Sequence, residues 1–281
     1  METFRCKDFS LKHTVESGQL FRFKEIGEGY LINSADRLFF VRQKKDSLFF
    51  DGNVDKDFIA HFFRLDEDHA STIRKISKDD DIRRAVEGYR GIRIMRQDPF
   101  ECTISFICSS ASNIPRIKKN VSDISRLFGE KRSVVICGKR HKYYSFPCPG
   151  AIKDKKRLSQ ARLGYREDFI IETNRLLTVD FISRLEKADY QSAKKQLMSL
   201  HGVGEKVADC ISLFSLGHLN SFPVDTWVTK VMLELYLRHT PKNGRTPRKI
   251  REFAERYFGD HAGYAQQYLF HARRNADRKS S

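Results

Sequence analysis

Two side chains set the chemistry open to this 281-residue chain: the amine of Lys206 and the carboxylate of Asp225. Lys206 stands two positions beyond the end of Leu200-His201-Gly202-Val203-Gly204. This is a tight turn whose alternate glycines let the backbone take positive φ and lie close to a partner. The residues from Lys206 to Ile211 read as the first turns of a helix. A helix N-terminus beside a glycine turn offers free N–H groups to an anion such as phosphate. Cys210 follows Lys206 by four residues and so shares its helical face. Asp225 comes after Pro223-Val224 and opens a second helical run, Thr226 to Met232, where an N-cap carboxylate is at home. One amine and one carboxylate, each at a helix start, could face a common pocket. An amine freed of its proton is a nucleophile that can collapse to a Schiff base, and a fixed carboxylate stabilises positive charge as it develops.

Three readings compete for this stretch. A dinucleotide-binding glycine turn fails on context, because Val207 occupies the third glycine position and a helix-like run, Ser192 to Leu200, precedes it where a strand is required. A hairpin that only grips DNA explains the glycines. A hairpin that also carries a catalytic lysine gives Lys206 and the later Pro-Val-Asp a joint purpose.

The elements that would position these groups follow from pattern. Residues 1 to about 52 read as an antiparallel meander: Tyr30–Asn33, Leu38–Arg42 and Ser47–Phe50 are short, aromatic and β-branched, with turn-forming residues between them. Helical spacing then brings a first domain to a close near residue 92. Asp98-Pro99 is a helix start with Pro at the first helical position, and the apolar run to Ser110 predicts a buried central helix. Ile114 to Phe128 is amphipathic and stops at Gly129. Residues 131 to 162, rich in Lys and Arg, read as a basic loop region. Helices resume at about Tyr165, and the polar tail from Arg273 reads as fraying.

Five ordered blocks carry a resemblance: Ser17-Gly18-Gln19-Leu20-Phe21-Arg22, Arg96 to Ser110, Gly164-Tyr165-Arg166, Gly202 to Cys210, and Ala262-Gly263-Tyr264-Ala265-Gln266. Through them the chain resembles, over nearly its whole length, the 8-oxoguanine DNA glycosylase/lyases of the helix-hairpin-helix DNA glycosylase superfamily. The resemblance implies an α+β fold, with an N-terminal antiparallel β-sheet domain (1–92) packed on an all-α helix-hairpin-helix body (93–281, hairpin about 198–212). It implies excision of 8-oxoguanine from duplex DNA by Lys206, with Asp225 as its electrostatic partner and β-elimination at the 3′ side from the same lysine. For that role Lys206 would have to be held among apolar neighbours at a helix start, both of which favour the free amine. The family match sandwiches the extruded base between Cys210 and Phe270, and gives the Gly18 carbonyl the task of accepting from the N7–H that distinguishes 8-oxoguanine from guanine. Gln266 is four residues from Phe270, on the same helical face, where its amide can meet a Watson–Crick edge. Arg116 and Arg166 match the pair that reads the orphaned cytosine, and Tyr165 matches the wedge beside it. Asn113, Gly202, Gly204 and Trp227 complete the expected DNA-contacting set. The chain departs from the eukaryotic members at Ala111 and Ser112, where they carry asparagines, and at Trp227, where they carry histidine. These departures bear on opposite-base recognition and one phosphate contact, and the preference for cytosine is expected to shrink by roughly tenfold, one lost hydrogen bond. The alternatives are a glycosylase for a different damaged base and a DNA-binding module without catalysis.

Composition agrees with a nucleic-acid partner. Lys and Arg outnumber Asp and Glu by 52 to 36, a net charge of +16, which favours a polyanion. The cysteines at 6, 102, 108, 137, 148 and 210 lack close spacing, so reduced thiols are expected rather than a disulfide frame or a zinc site. No cysteine follows Cys210, so no iron–sulfur loop is expected. The reading carries no metal and no cofactor. It also carries no membrane partner, a monomeric state, and an intracellular location with DNA: the cytoplasm or nucleoid of a prokaryote, or the nucleus of a eukaryote.

Overall fold

The computed structural model describes residues 1–241 and 246–280. A five-stranded antiparallel sheet opens the chain. β1 (Glu2–Arg5) is followed by a short helix, α1 (Leu11–Glu16), and then by β2 (Phe23–Ile26), β3 (Gly29–Ser34), β4 (Arg37–Lys44) and β5 (Ser47–Gly52). The order is β1-β5-β4-β3-β2, so the first strand closes the edge beside the last. Alternation fixes the register: Val41 pairs with Tyr30 on one side and Phe50 on the other, and all three are buried. That face packs on Ile59, Phe62 and Phe63 of and just beyond α2 (Lys56–Phe62), and on Leu11 and Val15 of α1.

α3 (His69–Ile76) and α4 (Asp80–Gly88) precede residue 92, yet Ile76, Ile82, Ala85 and Val86 join the helical core. α5 (Pro99–Cys108) begins as expected, with the Asp98 carboxylate accepting from the Glu101 N–H, and every residue from Phe100 to Cys108 is buried. It is the axis of the body. Sheet and body are joined by a buried ion pair, Arg22 to Glu101 at 3.2 Å. Glu101 also accepts from the Ala35 N–H, and Arg22 donates to the Tyr144 carbonyl at 2.6 Å. Each buried charge is thereby matched, which is what allows it inside.

α6 (Ile114–Phe128) leads into a feature the basic composition obscured: residues 131–144 form a hairpin, β6 (Lys131–Ile136) and β7 (Lys139–Tyr144), where a loop was expected. Val134, Ile136 and Tyr143 of its inner face cover Leu31, Leu38 and Phe40 on the outer face of the main sheet. Lys131, Arg140 and Lys142 between them face water, and Arg132 pairs with Asp36 and Glu130.

The remaining helices are α7 (Lys155–Leu158), α8 (Arg166–Leu176), α9 (Val179–Lys187), α10 (Tyr190–Leu197), α11 (Glu205–Phe214), α12 (Thr226–Leu235), α13 (Pro247–Phe258) and α14 (Ala262–Ser280). α10, the turn through Gly202 and α11 make the hairpin. Behind it Asp209, fully buried, accepts from Tyr190, Lys194 and Arg251 at 2.7–2.8 Å, tying α10, α11 and α13 together. The tail expected to fray continues as α14, because Arg273 pairs with Glu234 and Arg274 folds back on the N-terminal segment. Among the described residues no helix is long and apolar enough to cross a membrane.

Candidate active site

Lys206 is the second residue of α11. Gly204 caps that helix without a side-chain acceptor, so no side chain takes its first amides. The Lys206 Nζ lies 5.4 Å from the centre of the Phe106 ring and 3.4 Å from the Ser109 hydroxyl, both contributed by or next to α5. The Ser109 proton is donated to the Phe106 carbonyl, which leaves the oxygen's lone pairs facing the amine. Cys210, one turn on, is buried. Burial pushes its thiol up to about 12 while neighbouring Lys206 pulls it down, so it stands here as a neutral, polarisable surface and not as a thiolate nucleophile.

Asp225 caps α12 as its sequence predicts, one carboxylate oxygen accepting from the Val228 N–H at 2.8 Å. The two helix starts open into one cavity of about 790 Å³. Its lining brings together Lys206, Asp225, Gly18, Cys210, Gln266, Phe270, Asn113 and Trp227 from five separate segments. The Gln266 Oε1 is buried in it without a hydrogen-bond partner. A buried orphan acceptor is costly, and a ligand's donor would relieve it. Gly18 has φ +89°, and a Cβ there would fall 2.9 Å from an Arg274 nitrogen and 3.3 Å from the Phe270 ring. The positive φ therefore calls for glycine, and an added Cβ would also crowd Arg274 and Phe270.

Arg116, Tyr165, Arg166, Gly202 and Gly204 lie outside this cavity, and Asn113 stands at its edge. Asn113 caps α6, accepting from the Arg116 N–H at 3.0 Å, and the exposed Arg116 side chain reaches the Arg162 carbonyl at 3.4 Å. Tyr165 is 54% exposed, as a wedge needs to be. Arg166 is buried instead, and its guanidinium donates to the carbonyls of Ser110, Ala111 and Leu163 while stacking on Tyr165. In this structure its donors hold the 109–112 loop. The two hairpin glycines also differ. Gly202 takes φ +82° against Phe169, whereas Gly204 has φ −86° in extended backbone with open space beside it, so only one of them needs positive φ. Gly204 serves as an N-cap.

Sequence reasoning missed two residues at the cavity wall. Gln267, buried, donates to the Ser17 carbonyl at 2.9 Å, and Arg274 donates to the Glu16 carbonyl while covering the Phe270 ring. Their one sequence signal is the i, i+3, i+7 spacing with Phe270.

An antiparallel sheet on a helix-hairpin-helix body, with a lysine and an aspartate at two helix starts facing one cavity, defines the class as helix-hairpin-helix DNA glycosylases. Residues 3–103 match the family described as 8-oxoguanine DNA glycosylase, N-terminal domain. A probable N-glycosylase/DNA lyase of Methanothermobacter thermautotrophicus is 33% identical over 222 residues, 70% of this chain and 69% of that protein. The solved structure of MBOgg1 in complex with a low-affinity DNA ligand superposes with a TM-score of 0.89 at 34% identity, over 98% of this chain and 96% of the other. That of Clostridium acetobutylicum 8-oxoguanine glycosylase/lyase, bound to double-stranded DNA with cytosine opposite 8-oxoguanine, gives 0.88 at 30% identity over 99% of both chains. The chain belongs to the 8-oxoguanine DNA glycosylase/lyase family.

Proposed function

We infer that this chain is a bifunctional 8-oxoguanine DNA N-glycosylase and abasic-site lyase, with Lys206 as nucleophile and Asp225 as its electrostatic partner. The observation that carries the residue assignment is the convergence of amine and carboxylate on the cavity that also holds Gly18, Cys210, Gln266 and Phe270. A base within a duplex cannot reach such a recess, so it must be flipped out, at a cost of a few kcal/mol. The Lys206 Nζ–C1′ bond forms as the bond from C1′ to the base breaks, and the base leaves with the electron pair and takes up a proton. Asp225, kept in place by its cap bond, stabilises the sugar cation on the way. Opening of the sugar ring gives the imine. Loss of a C2′ proton then expels the 3′ phosphate.

Selection falls to Gly18. Its carbonyl accepts from the N7–H of 8-oxoguanine and opposes the N7 lone pair of guanine, a repulsive discriminator. Cys210 and Phe270 take the two faces of the purine and Gln266 its edge. Duplex DNA is the partner, gripped through the α11 N-terminus and Gly202 turn, with Asn113, Arg116, Tyr165 and Trp227 along the same surface and Arg166 bracing the loop beneath it. We propose that the protein works as a monomer wherever the cell keeps its DNA.

Borohydride trapping on an 8-oxoguanine:cytosine duplex tests this. Wild type should crosslink, and Lys206→Gln should lose base release and crosslinking while binding the duplex as before. Crosslinking retained in that variant would refute the lysine assignment.

A further inference from the structure

We propose that Gln267 and Arg274 are positioning residues for lesion selectivity, two clamps from α14 that hold the Gly18 carbonyl at fixed range from the purine. The proposal rests on the functional reading above. A carbonyl rejects guanine only if it cannot retreat: a loop free to swing by an ångström would relieve the clash between two acceptors and admit the normal base. The segment bearing Gly18 is short and lies between helix and strand, so its stiffness must come from elsewhere. Gln267 Nε2 donates to the Ser17 carbonyl at 2.9 Å and Arg274 donates to the Glu16 carbonyl, one and two residues before the glycine. Gln19, just after it, donates to the Ser17 hydroxyl at 2.9 Å and to the Arg93 carbonyl at 2.8 Å, and its own carbonyl accepts from Gln97 at 2.8 Å. The carbonyls at Glu16, Ser17 and Gln19 are thus each committed to a side-chain donor, and that of Gly18 is not among them.

The helix doing the clamping also carries the wall. Gln267 and Arg274 are seven residues apart, two turns on one face, and Phe270 sits between them with Arg274 lying 5.5 Å from the centre of its ring. Gln266 adjoins. The reading carbonyl and the surface that holds the base against it are therefore fixed to one rigid element, so their separation does not depend on loop motion.

Binding is measured without turnover, in the Lys206→Gln background, as the ratio of dissociation constants for guanine and 8-oxoguanine duplexes, each opposite cytosine. Gln267→Met and Arg274→Met, which keep bulk and remove the donor, should each lower that ratio by about tenfold, the equivalent of 1.4 kcal/mol. Arg274→Lys, which keeps a donor, should recover part of it. With Lys206 present, the same substitutions should leave cleavage at a preformed abasic site within about twofold of wild type, because no base is read there. An unchanged ratio overturns the proposal. So does abasic-site cleavage that falls in parallel, which marks a merely structural role. Wild type that releases no 8-oxoguanine refutes the functional reading and this proposal with it, whereas a selective wild type with equally selective variants refutes the proposal alone.

Discussion

Replacing Gly202 and Gly204 by alanine, one at a time, separates two residues that look equivalent in the sequence. At Gly202 the backbone has φ +82°, and an added Cβ would lie 2.6 Å from three atoms of the Phe169 side chain. The left-handed conformation costs a non-glycine residue about 1–2 kcal/mol. Forcing a methyl against a packed ring costs about 1–3 kcal/mol more. The stiffer unfolded chain returns about 0.4–1 kcal/mol. The net is a destabilisation of about 3 kcal/mol. Phe169 is in ring contact with both His201 and Tyr165, at 4.8 and 5.5 Å, so a displaced ring disturbs the turn and Tyr165 together. At Gly204 nothing lies within 4 Å of the added atom, and φ is ordinary. The alanine there loses about 0.5–1 kcal/mol as an N-cap relative to better residues, and the unfolded-state gain offsets it. Denaturant unfolding should show Gly202→Ala weakened by about 3 kcal/mol, and Gly204→Ala within about 0.5 kcal/mol of wild type. Affinity for undamaged duplex, measured by anisotropy at fixed salt, should drop by up to two decades for the first variant alone. Equal losses in the two variants, or none in Gly202→Ala, would refute the argument from φ and space.

Asp225→Asn keeps the helix cap, since asparagine is as good an N-cap as aspartate, but removes the charge; single-turnover excision should slow by about 10²–10³ with stability unchanged. Turnover within a few-fold of wild type would leave Asp225 as a cap only. Arg116→Ala should cut the preference for cytosine over adenine opposite the lesion by about tenfold, the upper range of one hydrogen bond, as read by excision rates opposite all four bases. An unchanged preference would exclude it as the reader. His69 is held down to about 3 by burial, with Arg93 and Arg90 adding to the effect. Its unfolded value is about 6.5, so the unfolded chain binds the extra proton: stability is complete above pH 6.5 and falls as pH drops toward 3, by at most about 1.4 kcal/mol per unit. His69→Gln should flatten that limb of a stability-against-pH curve, and an equally steep limb would contradict it.

What was legible in the sequence is what local chemistry determines. Asp98, Asn113 and Asp225 each announce a helix start by a short side chain before a helical run, and each accepts from the N–H three residues on. The meander showed because its inner face alternates without interruption. The hairpin at 131–144 did not, because it buries only Val134, Ile136 and Tyr143 on the main sheet and its outward positions are mostly charged or polar, which mimics a loop. Gly202 and Gly204 look alike in the sequence because φ is set by what surrounds the turn. Here that is Phe169, more than thirty positions away in the chain. Gln267, Arg274 and the buried Asp209 cluster escaped for the same reason: a polar residue's partner across the fold leaves no mark on its neighbours. Arg166, matched by pattern, donates in this structure to three backbone carbonyls, contacts its sequence neighbours do not announce.

Gln267 reaches Ser17 across 250 residues of sequence. On the ribosome, the sheet and the helix-to-strand loop bearing Gly18 emerge before the lysine helix, and the wall that completes the cavity emerges after it. Domains fold as they emerge, N-terminal parts first. A nascent chain therefore has a place to begin folding long before it has a pocket, and during synthesis the amine has no enclosed recess in which to meet a base. The amine proposed as the nucleophile thus gains its enclosed recess only once α14 is made.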